Sequence, residues 1–74
     1  MATPEELKTR IEAAIPGAAA DVQSPDNVHF SARVTAEAFA GLPRIQQHRM
    51  VLDIFGAELG TGPIHALQLK TETP

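Results

Sequence analysis

HFSARVT, residues 29–35, places Phe30, Ala32 and Val34 on one face of an extended chain and His29, Ser31, Arg33 and Thr35 on the other. A side-chain period of two with one apolar face is the pattern of a half-buried β-strand, so this chain builds a sheet covered on one side. Before it, residues 18–23 form a short, weakly patterned segment and SPDN at 24–27 gathers turn formers, so the two segments read as a hairpin. After it, AEAFAGLP begins like a helical turn that Gly41 and Pro43 interrupt. The run RIQQHRMVLDIFGAEL then repeats Ile45, His48, Val51, Leu52, Phe55 and Leu59 at helical spacing, which predicts the main helix over 44–58. Gly60 to Pro63 break the chain, and IHALQLKT returns as a strand with Leu67 and Leu69 in phase.

At the N-terminal end, Thr3 reads as a helix cap, Pro4 as the first helical residue and Glu6 as the third position of a capping box, with acidic charge at the positive helix end. Leu7, Ile11, Ala14 and Ile15 give one apolar stripe, and Pro16-Gly17 stop the helix, which spans 4–14. The order helix, strand, strand, helix, strand predicts a single small α+β domain over residues 1–74. Its sheet is mixed and three-stranded, with both helices packed on one face.

Seventy-four residues allow one compact core, built here from aliphatic side chains with three Phe and no Tyr or Trp. The absence of cysteine excludes disulfides and leaves His, Asp and Glu as the chain's own metal donors. No signal peptide or membrane-spanning run is apparent at the acidic N-terminal end, so a cytoplasmic protein without membrane contact is expected. The net charge of −3 argues against binding driven by phosphate contacts, although Arg44, Arg49 and Lys70 in the second half allow a local basic patch.

Three histidines carry what chemistry there is. His48 falls on or beside the helical stripe, where a histidine most often hydrogen-bonds within the core. His29 lies opposite Phe30 and is expected to be exposed. His65 shares the phase of Leu67 and Leu69 but stands at the strand end, where a half-buried, accessible imidazole makes a good metal ligand. No nucleophile motif, Gly-rich phosphate loop or carboxylate pair accompanies them, so an enzyme is not expected. Nor does the spacing provide a self-sufficient zinc site. Incomplete ligation suits a metal centre shared with another protein.

Three blocks together resemble the BolA family: HFSARVTAEAFAG, RIQQHRMV and IHALQLKTETP, in the family's order over residues 29–74. The resemblance implies a fold like a class II KH domain. It further implies a monothiol glutaredoxin partner, with a bridging [2Fe-2S] cluster held by the glutaredoxin and glutathione thiolates and by a histidine of the closing strand, which is His65 here. The family's second ligand comes from the loop between the first two strands. In many members it is a Cys or His; here the loop SPDNVHF departs from that pattern in having no Cys, and its only imidazole is His29 at the far end beside the strand, with Asp26 a poorer candidate.

Two further features depart from the family pattern. Gln47-His48-Arg49 stands where Arg-His-Arg is usual, and the chain ends at TETP, where many relatives continue into a short last helix.

The leading expectation is therefore a BolA-like adaptor in iron-sulfur cluster trafficking or iron regulation. Its cluster ligands would be His65 and His29, and Arg44, His48, Arg49 and Lys70 would contact a partner. The alternative is a nucleic-acid-binding transcriptional regulator, with DNA as partner, relying on Arg44 and Arg49, joined by Arg33 and Lys70, and weakened by the acidic charge, by the missing arginine at position 47 and by GLPR in place of a Gly-x-x-Gly loop. The isolated chain is expected to be a monomer or a weak dimer without a cofactor of its own.

Overall fold

The computed structural model describes residues 2–74. Helix α1 (Pro4–Ala14) leads into strand β1 (Ala19–Gln23) and strand β2 (His29–Thr35), then helix α2 (Arg44–Phe55) and strand β3 (Ala66–Glu72). Single 3₁₀ turns flank α2 at Glu37–Phe39 and Gly56–Glu58. The strand order is β1-β2-β3, with β1 antiparallel and β3 parallel to β2, so the sheet is mixed as expected.

Register explains the layering. Phe30, Ala32 and Val34 stand opposite Leu67, Leu69 and Thr71, and together they form the face that α1 and α2 cover. His29, Ser31 and Arg33 with Ala66, Gln68 and Lys70 form the other face, which is open to solvent. From α1, Leu7 and Ile11 are fully buried, and each such aliphatic side chain contributes about 1.5–3 kcal/mol of transfer free energy. Thr3 caps the helix by accepting the Glu6 N–H at 3.2 Å. Arg10 ties α1 to the end of α2: its guanidinium bonds both Glu58 carboxylate oxygens at 2.9 and 2.7 Å and lies 4.9 Å from the Phe55 ring centroid.

Three sequence expectations need correction. Helix α2 ends at Phe55 rather than at 58, because Gly56 adopts φ +51° and the chain tightens into a 3₁₀ turn. Ile45 is 68% exposed although it shares the helical stripe; in the first turn of α2 the inward position is taken by Gln47. That side chain donates to the carbonyls of Phe39 and Leu42 and accepts from the Thr71 hydroxyl at 2.7 Å, which joins the loop, α2 and β3. Finally, the closing strand starts at Ala66. Ile64, read as strand, is fully buried in an isolated bridge to Leu59.

Candidate functional site

The SPDN turn organises one end of the sheet. Ser24 Oγ accepts the Asn27 N–H at 2.9 Å and donates to the His29 carbonyl, while Asn27 takes the left-handed conformation (φ +61°) that asparagine tolerates better than most residues. The Asp26 carboxylate then accepts two backbone N–H groups on one oxygen, from Val28 at 3.0 Å and His29 at 2.9 Å. Its other oxygen lies 2.8 Å from His29 Nδ1.

Parallel pairing brings the start of β3 beside the start of β2, since His29 is the register partner of Ala66. The His65 N–H donates to the Val28 carbonyl at 2.9 Å, and the His29 and His65 rings meet edge to face with centroids 5.2 Å apart. Both residues are exposed. For His29 this follows from its phase opposite Phe30. For His65 it corrects the expectation of half-burial: the residue precedes the strand, so the phase of Leu67 and Leu69 does not extend to it.

Electrostatics assigns the atoms. The His29 backbone N–H bond, the His29 ring and the Val28 N–H hold the Asp26 carboxyl well below the usual carboxylate range. An ionised Asp26 is only an acceptor, so in neutral His29 the proton sits on Nδ1 and the Nε2 lone pair is available. A carboxylate behind an imidazole is the usual way a metal-binding histidine is oriented. Asp26 therefore holds the His29 ring through Nδ1, a role marked in the sequence only by its place three residues earlier, in the turn.

The depressed pKa has a pH signature. An Asp whose folded pKa lies below its unfolded value of about 3.9 contributes stability above that pH and loses it as pH falls toward the folded pKa. The Asp26 carboxyl carbon shift followed by NMR is expected to titrate with a midpoint below that value, and a midpoint near 3.9 would remove the turn geometry from the argument.

Two imidazoles on one tetrahedral ion, with metal–nitrogen bonds of about 2.0–2.1 Å, place their ring centroids about 5 Å apart. The observed 5.2 Å fits that spacing. Among the described residues no group of three or more His, Cys, Asp or Glu side chains is assembled for a metal ion. The two imidazoles are neighbours at the sheet end, and by themselves are too few for a tetrahedral donor set.

The other candidate residues lie elsewhere. Arg44, His48 and Arg49 share a shallow hollow of about 690 Å³ on α2 with Ile45, Leu52 and Asp53. Arg44 and His48 also face Leu69, Lys70 and Thr71 across a groove of about 360 Å³. His48 makes no core hydrogen bond: its Nε2 is buried and without a partner. Arg33 lies 3.7 Å from Glu72 on the open sheet face, apart from the α2 residues.

A family model described as BolA-like protein matches residues 4–74. The chain is similar to human BolA-like protein 1, with 39% identity over 72 residues covering 97% of this chain and 49% of that protein. It is also similar to the Arabidopsis thaliana SufE-like protein 1, chloroplastic/mitochondrial, with 36% identity over 62 residues, 84% of this chain and 16% of that one. The structure of a bolA protein homologue from Coxiella burnetii superposes with a TM-score of 0.84 at 33% identity, covering 100% of this chain and 94% of that chain. The chain spans about half or less of the length of the curated relatives it matches.

Proposed function

Since the chain belongs to the BolA-like protein family, we propose that it is an adaptor that binds a monothiol glutaredoxin and shares a bridging [2Fe-2S] cluster with it, in cluster trafficking or iron regulation. In this reading His65 and His29 supply imidazole nitrogens, and the glutaredoxin and glutathione supply thiolates. Arg44, His48, Arg49 and Lys70 face a partner. The observation that carries the proposal is the His29–His65 pair, whose ring separation suits one shared ion and whose first member is oriented by Asp26. Imidazole in place of thiolate on one iron raises a cluster's potential, as in Rieske centres, so the shared centre would differ in redox behaviour from a thiolate-only one. Within the family, the match to a SufE-like protein shows that a domain of this kind also occurs inside a larger chain.

The test is visible absorption and circular dichroism of the chain mixed with a monothiol glutaredoxin, glutathione, iron and sulfide, beside a His65→Ala variant. The wild-type mixture is expected to differ in spectrum from glutaredoxin alone, and the variant to revert to it. A wild-type spectrum equal to that of glutaredoxin alone would end the proposal.

The alternative reading, a nucleic-acid-binding regulator, draws on the same basic residues and has less support. Net charge is −3, and Arg33 stands beside Glu72. Binding that falls steeply with salt would favour it.

A further inference from the structure

The two edges of the sheet are treated differently by the fold. At β1 the outward N–H and C=O of Ala20 are both occupied from α1: the Glu12 carboxylate accepts the N–H at 3.0 Å and the Lys8 ammonium donates to the carbonyl at 3.2 Å. At β3 the direction of the backbone groups follows from the bonds at its ends. The Ala66 N–H donates to the Val28 carbonyl at 3.2 Å, and the Glu72 carbonyl accepts the Ala36 N–H at 3.1 Å. With the parallel register, even-numbered residues of β3 bond to β2, and the N–H and C=O groups of Leu67, Leu69 and Thr71 point away from it. Among the described residues those outward backbone groups have no hydrogen-bond partner. Such an edge is a template for an added strand, which proteins ordinarily block, as α1 does at Ala20 of β1 here.

The open edge runs along a walled groove. Arg44 and His48 of α2 stand on one side of it and Leu69, Lys70 and Thr71 on the other, so both charged side chains of the lining are basic. Helix α2 starts without a capping side chain or an acidic residue in its first turn, and the positive end of its dipole adds to that field. His48 also lines the groove, although its Nε2 is itself buried and has no partner among the described residues.

We infer that this groove receives an extended, acidic segment of a partner protein, which adds to β3 as a fourth strand and sets carboxylates against Arg44 and Lys70. Main-chain bonds to the edge supply affinity, and the cationic walls supply selectivity. A second copy pairing through the same strand would bring a second Arg44 and a second Lys70 to the seam, so charge favours the acidic segment. The inference deepens the contact role given above to Arg44, His48 and Lys70 without depending on the cluster. Leu69 is four residues beyond His65, about 13 Å along an extended chain.

The experiment uses the ¹⁵N-labelled chain alone, titrated with a synthetic octapeptide of alternating valine and glutamate and, separately, with its valine-lysine counterpart. The acidic peptide is expected to shift the amides of Leu67, Leu69 and Thr71 and to slow their hydrogen exchange at least tenfold, while the basic peptide leaves them unchanged. Arg44→Glu, at an exposed position, is expected to weaken acidic-peptide binding at least tenfold with the rest of the spectrum preserved. No shift with the acidic peptide, or an equal response to both peptides, overturns the inference. Shifts that grow with protein concentration alone would give the edge to a second copy, and shifts with a single-stranded oligonucleotide but not with the peptide would give the groove to nucleic acid; either result also overturns it. Glutaredoxin and cluster are absent throughout, so failure here and failure of the cluster reading are separate results.

Discussion

Phe39→Ala is expected to destabilise the domain by about 3–5 kcal/mol, the range for removing a fully buried Phe side chain. At about 0.05–0.15 kcal/mol per residue, a chain of this length has roughly 4–11 kcal/mol to lose, so the variant should be close to unfolded at the low end of that range. The position is sensitive because Phe39 anchors a segment with little regular structure. Its ring enters the core from a single 3₁₀ turn, its N–H donates to Ala36 and its carbonyl accepts from Leu42 N–H and Gln47 Nε2. Without the ring, these bonds must hold the approach to α2 unaided. Ile45→Ala is the matched control: an exposed aliphatic residue of α2 whose truncation should cost within about 0.5 kcal/mol. Urea denaturation decides between them. At a slope near 1 kcal/mol per molar for so small a domain, the Phe39 variant should lose about 3 M or more in midpoint and the Ile45 variant less than about 0.5 M. Equal midpoints would mean that the core is not organised around Phe39.

Asp26→Asn is expected to leave the turn folded and to lower cluster retention in the glutaredoxin mixture by about 10–100-fold, the usual effect of removing the carboxylate behind a metal-binding histidine. Asparagine still presents a carbonyl oxygen to the Val28 and His29 N–H groups, which receive their bonds from one Asp26 oxygen. On the side facing His29 Nδ1 it offers an amide N–H instead of an acceptor. The favoured tautomer then inverts: Nδ1 becomes the acceptor and the proton moves to Nε2, the atom that would have to bind iron. NMR of the ring nitrogens reads the tautomer directly, in the absence of any metal. Inversion with undiminished retention would remove His29 from the ligand set while leaving His65 in it. An unchanged tautomer would show that the Asp26–His29 bond does not control the ring.

Family and fold class were legible before any coordinates. The alternation in HFSARVT, the Thr3-Pro4 helix start and the spacing of Leu7 and Ile11 are local signals, set by backbone periodicity and capping within a few residues of each other, and each reappears in the structure. The three blocks of family resemblance kept their order. Periodicity also misled in an instructive way at α2. It marked Ile45 as inward because the residue is apolar, whereas Gln47 takes the inward position by satisfying two loop carbonyls and the Thr71 hydroxyl. An arginine at position 47 has no acceptor to offer Thr71, so the glutamine at that family position has a structural use that charge counting alone does not reveal.

What the residues alone determined, then, were the elements, their buried faces and the histidines worth testing. Tertiary structure decided which distant groups meet. His29 and His65 are thirty-six positions apart, and only the parallel register of β2 and β3 sets their rings 5.2 Å from each other. The same pairing leaves the far edge of β3 free, while on the β1 edge α1 occupies the outward groups of Ala20. Side-chain period reports which face of a strand is buried and carries no information about its neighbours, because strand pairing is a contact between segments far apart in the chain.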